Sequence, residues 1–82
     1  MSKSITVFTR QTCAPCKMLK GYLSKKNIPF TEINVDETPN AQEQLYELSG
    51  YSIVPLTVVT DKNGTREVIT GLNMSKLITA IA

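Results

Sequence analysis

Two cysteines separated by two residues, Cys13-Ala14-Pro15-Cys16, are the part of this 82-residue sequence best equipped for chemistry. A thiolate is a nucleophile, a leaving group and a metal ligand, so a pair of thiols can either exchange disulfides or share a metal. If a helix starts near Cys13, the two lie at its mouth and one turn inside. Their Cα atoms are then about 5 Å apart, within the range that a disulfide requires. Such a bond can open and close without large backbone movement. Unpaired N–H groups and the helix dipole favour a thiolate at Cys13, while Cys16 is drawn inward and holds its proton more tightly. Cys13 therefore reads as the nucleophile and Cys16 as the thiol that resolves a mixed disulfide.

The rest of the composition narrows the alternatives. Histidine is absent and only two cysteines occur, so Cys and His cannot close a four-ligand zinc site within one chain. A metal or iron–sulfur centre bridging two chains stays open, and would make this a binding module rather than an enzyme. Nine basic and seven acidic residues give a net charge of +2 with no polybasic run, which argues against nucleic acid or a membrane surface as the main partner. No stretch approaches the ~20 apolar residues needed to span a bilayer. Met1-Ser2-Lys3-Ser4 leads straight into an apolar alternation without a signal-like core, so a cytoplasmic location is expected. Thiols are held reduced there, and a close cysteine pair is redox-active or metal-binding more often than a staple. The length predicts one domain over residues 1–82; nothing in the chain suggests an obligate interface, so a monomer is expected, and no bound cofactor is expected.

The elements that must position the cysteines follow from periodicity. Residues 5–9 alternate as a strand, with Phe8 breaking the alternation as it would in a strand buried on both faces. A helix is predicted over 14–26, with Pro15 in its first turn and Met18, Leu19, Tyr22 and Leu23 as its apolar stripe. Lys17, Lys20, Lys25 and Lys26 take the other positions. Residues 30–35 give a second strand, parallel to the first because a helix connects them. Thr38-Pro39 opens a helix through about Ser49, with Ala41, Leu45 and Leu48 on one face and Gly50 as its stop. A third strand covers 56–60, Asp61-Lys62-Asn63-Gly64 makes a hairpin, and 65–70 returns. A last helix begins near Asn73 and buries Met74, Leu77, Ile78 and Ile81. The class is α/β, in the order β-α-β-α-β-β-α.

Several residues near the cysteines carry two readings. Pro55 is either an edge-strand proline or a cis proline whose neighbour Val54 offers its backbone to an incoming segment. Arg10 either supports the thiolate, or attracts a substrate carboxylate, or is a solvated surface arginine. Gly71 either makes a turn or lets a ligand approach the following helix. Tyr51 reads as rim or core.

Across nearly the whole chain these residues resemble the small glutaredoxins and NrdH-redoxins. Phe8-Thr9-Arg10-Gln11-Thr12-Cys13-Ala14-Pro15-Cys16, Val54-Pro55 and Gly71-Leu72 fall where that family carries corresponding motifs. The resemblance implies a thioredoxin fold, a four-stranded mixed sheet flanked by three helices. It also implies Cys13 as nucleophile, Cys16 as resolving thiol and a cis peptide at Pro55. Arg10, Ala14, Pro15, Val54, Pro55, Gly71 and Leu72 are implied to line the substrate site. Glutaredoxins usually have Cys-Pro-Tyr-Cys, whereas Ala14-Pro15 has the thioredoxin order, and Thr12 stands where thioredoxins place tryptophan. Gly71-Leu72-Asn73-Met74-Ser75 lacks the second glycine and the acidic groups that hold the glutathione amine. Leu72 is similar to the apolar residue of NrdH-redoxins, without their usual arginine and proline beyond it. Proteins of that type take electrons from NADPH through thioredoxin reductase and commonly supply a ribonucleotide reductase. Glutathione as reductant is the alternative.

Overall fold

The computed structural model describes residues 3–81; Met1, Ser2 and Ala82 of the predicted 1–82 domain lie outside them. The elements run β1 (Ser4–Thr9), α1 (Ala14–Lys25), β2 (Thr31–Asn34), α2 (Ala41–Ser49), β3 (Leu56–Thr60), β4 (Arg66–Thr70) and α3 (Met74–Ile81). The strands form one sheet in the order β2-β1-β3-β4. β1 is parallel to β2 and antiparallel to β3, and β3 is antiparallel to β4. The mixed sheet with three helices is the expected architecture.

Phe8 explains itself in this frame. Ile5 and Val7 pack with Leu19, Leu23, Val59, Ile69, Leu77 and Ala80, which places α1 and α3 on one face of the sheet. Phe8 packs instead with Ala41, Leu45, Leu56 and Val58, on the face covered by α2. β1 is central and buried on both sides, so it needs apolar side chains in succession.

Two predicted core positions are corrected. Met18 is 65% exposed and Ile78 is 47% exposed. Each sits one step, or about 100° of helix rotation, from a fully buried leucine, Leu19 or Leu77. The stripe of α1 runs Cys16, Leu19 and Leu23, with Tyr22 partly covered. In α3, Ala80 takes the buried place assigned to Ile78. The second helix also starts later than Thr38-Pro39. Asn40 holds a left-handed φ of 65°, which breaks the helical path. The turn before it is closed by Glu37 N–H and Thr38 N–H donating to the Asn34 carbonyl at 3.1 and 3.0 Å.

The hairpin after β3 is organised by Asp61, whose Oδ1 accepts from Asn63 N–H at 2.9 Å and Thr65 N–H at 3.0 Å. Gly64, with φ 85°, supplies the left-handed position that this loop demands. The returning strand therefore begins at Arg66 rather than Thr65.

Candidate active site

β1 delivers its C-terminal end directly to the cysteines. Cys13 is the N-cap of α1, extended at φ −151° and ψ 100°, and its Sγ accepts from Cys16 N–H at 3.2 Å. This is the hydrogen bond that serine or aspartate makes at an N-cap, here made by sulfur. Pro15 occupies the first turn, where no N–H is needed. The two cysteines are joined in a disulfide with their Cα atoms 5.2 Å apart. Cys13 keeps 9% of its surface and Cys16 keeps 1%. Of the two residues, the one at the helix mouth keeps more of its surface.

The Val54–Pro55 peptide is cis. β3 lies between β1 and β4, so the edge-strand reading of Pro55 is overturned. Phe8 is opposite Leu56 in the β1–β3 register, which puts Pro55 at the same end of the sheet as the residues leading to Cys13. The Pro55 carbonyl accepts from Gly71 N–H at 2.8 Å, bringing Gly71 and Leu72 alongside. Gly71 has φ 73°, and a Cβ there would meet nothing within 4 Å. The turn, through its backbone angle, accounts for the glycine. Ala14, Pro15 and Leu72 are exposed and Val54 is half-buried. Ile53, also exposed, adds an apolar neighbour that the sequence reading missed. Tyr51 is exposed rim, not core.

Arg10 keeps a third of its side-chain surface exposed and is engaged by two partners. One guanidinium nitrogen donates to Asp36 Oδ1 at 3.3 Å and another to Gln42 Oε1 at 2.7 Å. The second Asp36 oxygen accepts from Gln11 N–H at 3.1 Å. Asp36 is itself steadied by its N–H donating to Asn34 Oδ1 at 2.9 Å. Neither Asp36 nor Gln42 was predicted. The parallel register pairs Thr9 with Asn34, so β1 and β2 end side by side and their exit loops must meet.

A second polar group lies against α1. Thr9, fully buried, donates its hydroxyl to Glu32 Oε2 at 2.7 Å, and Lys20 Nζ donates to the same oxygen at 2.8 Å. The Lys20 bond first, then the Thr9 bond, hold the Glu32 carboxyl below its ordinary range against a smaller opposing effect of burial. Among the described residues no group of three or more His, Cys, Asp or Glu could hold a metal ion. No described helix is long and apolar enough to cross a membrane.

A mixed four-stranded sheet carrying a Cys-x-x-Cys pair at a helix cap, with a cis proline at the same sheet end, defines a thiol–disulfide oxidoreductase of thioredoxin fold. The comparisons with known proteins agree. The family model described as Glutaredoxin matches residues 5–63, and the chain belongs to the glutaredoxin family. It is 39% identical over 57 residues to the glutaredoxin-like protein NrdH of Lactococcus lactis subsp. cremoris (strain MG1363), covering 70% of this chain and 78% of that protein. It is 31% identical over 52 residues to glutaredoxin 3 of Escherichia coli (strain K12), covering 63% of each. Among solved structures, the thioredoxin-like protein BC3987 superposes with a TM-score of 0.76 at 27% identity, over 94% of this chain and 99% of that one. A glutaredoxin from Archaeoglobus fulgidus gives 0.77 at 24% identity over 99% and 87%, a likeness of fold.

Proposed function

We propose that the protein is a dithiol reductant of protein disulfides of the NrdH type, drawing electrons from NADPH through thioredoxin reductase and supplying a ribonucleotide reductase. The observation that carries the dithiol chemistry is the asymmetry of the pair, with Cys13 Sγ at the helix cap accepting an N–H and Cys16 enclosed. In the reduced protein the same N–H groups and helix dipole favour Cys13 as thiolate. That thiolate attacks one sulfur of the client disulfide, and the other sulfur leaves as a thiolate. Cys16 then gives up its proton and attacks Cys13 Sγ. The mixed disulfide breaks, the second client thiolate leaves, and Cys13–Cys16 is closed. Two electrons have passed from the protein to the client, and the reductase restores them.

Exposed Ala14, Pro15 and Leu72, with half-buried Val54 and Gly71, would form the rim on which a client segment lies, with the Val54 backbone available to pair with it; the Pro55 side chain is fully buried. The preference for thioredoxin reductase rests on the Gly71-Leu72-Asn73-Met74-Ser75 run. It has no carboxylate to hold an ammonium group, and the Asn73 side chain accepts from Lys76 N–H at 3.1 Å as the cap of α3. A glutathione-dependent glutaredoxin is the second reading, favoured by the likeness to glutaredoxin 3.

The test is NADPH consumption during reduction of a small disulfide, run once with thioredoxin reductase and once with glutathione and glutathione reductase, with Cys13→Ser as control. Turnover with thioredoxin reductase alone supports the proposal, and ribonucleotide reductase is then assayed as client. Turnover with glutathione alone replaces it with the second reading. A brown, metal-containing dimer that loses its colour on Cys13→Ser would replace both with a centre shared between chains.

A further inference from the structure

The segment that leads into Cys13 turns two donors toward one of the chain's own carboxylates. Arg10 and Gln11 N–H, three and two residues before Cys13, point their donors at the two oxygens of one side chain, Asp36. A guanidinium and a backbone N–H converging on a carboxylate are the donors that would otherwise receive an anionic group of an arriving substrate. Gln42 takes a further Arg10 donor at 2.7 Å, so the fork is engaged on two sides. The Asn34 side chain and the turn that follows it hold Asp36 in place.

We propose that Asp36 is a specificity-determining residue that neutralises Arg10 beside Cys13 and so biases the dithiol against anionic disulfides, in favour of neutral and cationic ones. The inference rests on Cys13 being the attacking thiol, and it needs neither reductase to be tested. In a single turnover the Cys13 thiolate attacks one sulfur of a small disulfide RSSR and one RS⁻ leaves. Cys16 then displaces the second RS⁻, and two electrons pass from dithiol to disulfide. Removing the Asp36 charge alters the first encounter in proportion to the charge on R. It also eases formation of the Cys13 thiolate, but that change is common to every RSSR and cancels in a ratio of rates.

The experiment mixes pre-reduced protein with dianionic 3,3′-dithiodipropionate, neutral 2-hydroxyethyl disulfide or dicationic cystamine at pH 7, followed by acid quench and mass of the alkylated protein. Asp36→Asn keeps one oxygen for Gln11 N–H, while its amide nitrogen takes the place of the oxygen that accepts from Arg10, so the charge and that ion pair are lost together and Arg10 keeps Gln42. One unit charge at on the order of 10 Å in a partly aqueous setting is worth about threefold in rate. Asp36→Asn is therefore expected to raise the dianionic-to-neutral ratio about threefold at low salt and to lower the dicationic-to-neutral ratio similarly. Both changes should shrink at ~0.5 M salt. Glu37→Gln removes the same charge from the next, exposed residue, whose side chain bonds neither Arg10 nor Gln11, and should move the ratios less. Arg10→Met added to Asp36→Asn should return them toward wild type. Unchanged ratios in Asp36→Asn, or equal shifts in Glu37→Gln, overturn the inference. If wild-type protein fails to reduce even the neutral disulfide, the dithiol reading itself is wrong and this inference goes with it.

Discussion

Replacing Thr9 by valine tests the polar group against α1. The substitution keeps the β-branched shape in a site with no exposure and deletes one hydroxyl, which donates to Glu32 at 2.7 Å. A hydrogen bond to a charged acceptor contributes about 1.5–3 kcal/mol when fully desolvated. Glu32 is about a third exposed and keeps Lys20, so water compensates part of the loss and about 1 kcal/mol is expected at pH 7. For a domain of this size that is a fall in Tm of roughly 4–8 °C. The sign with pH follows from the lowered Glu32 carboxyl. A carboxyl whose folded pKa is depressed contributes stability above its unfolded pKa, and that contribution is lost as pH falls through the folded value. Wild type and Thr9→Val should therefore differ most at neutral pH and converge under acid conditions below the ordinary carboxylate range. Urea unfolding of both oxidised proteins at pH 7 and at pH 3 measures this. A difference that is the same at both pH values, or below ~0.3 kcal/mol at pH 7, would refute the charge-assisted bond.

Cys16→Ser should accumulate mixed disulfides on Cys13 and Cys13→Ser should abolish turnover; non-reducing mass spectrometry after mixing with a protein disulfide separates them, and equal residual activity contradicts the assigned roles. Leu23 is fully buried between α1 and the sheet, so Leu23→Ala should cost about 2–5 kcal/mol in denaturant unfolding. Asn73→Ala removes the cap of α3 and should cost about 1 kcal/mol by the same measurement. Met18→Gln and Ile78→Gln, at exposed positions, should each stay within about 0.5 kcal/mol of wild type.

The local part of this molecule is legible along the chain. Strand alternation, the Leu19–Leu23 spacing, the Asp61–Gly64 turn and the Cys13–Cys16 interval are relations between residues a few positions apart, and backbone geometry alone turns them into neighbours. The double burial of β1 could be read from Phe8 for the same reason. Helix faces were less secure: a 100° step decided that Leu19 and Leu77 are covered while Met18 and Ile78 are not, and only the packed sheet sets where the covered stripe ends. The start of α2 depended on Asn40 entering the left-handed region, which no periodicity announces.

The environment of the cysteines was decided by tertiary structure. Arg10 meets Asp36 and Gln42 across 26 and 32 residues, and Thr9 meets Glu32 across 23. Those pairs exist because β1 and β2 run parallel in one register and end together. Pro55 could be read as an edge residue or as part of the site until β3 took an interior place and its carbonyl paired with Gly71. The sequence by itself determined which thiols can do the chemistry, because their spacing is covalent. Which charges meet the strand end that leads to them is set by strand register, a property of the assembled sheet.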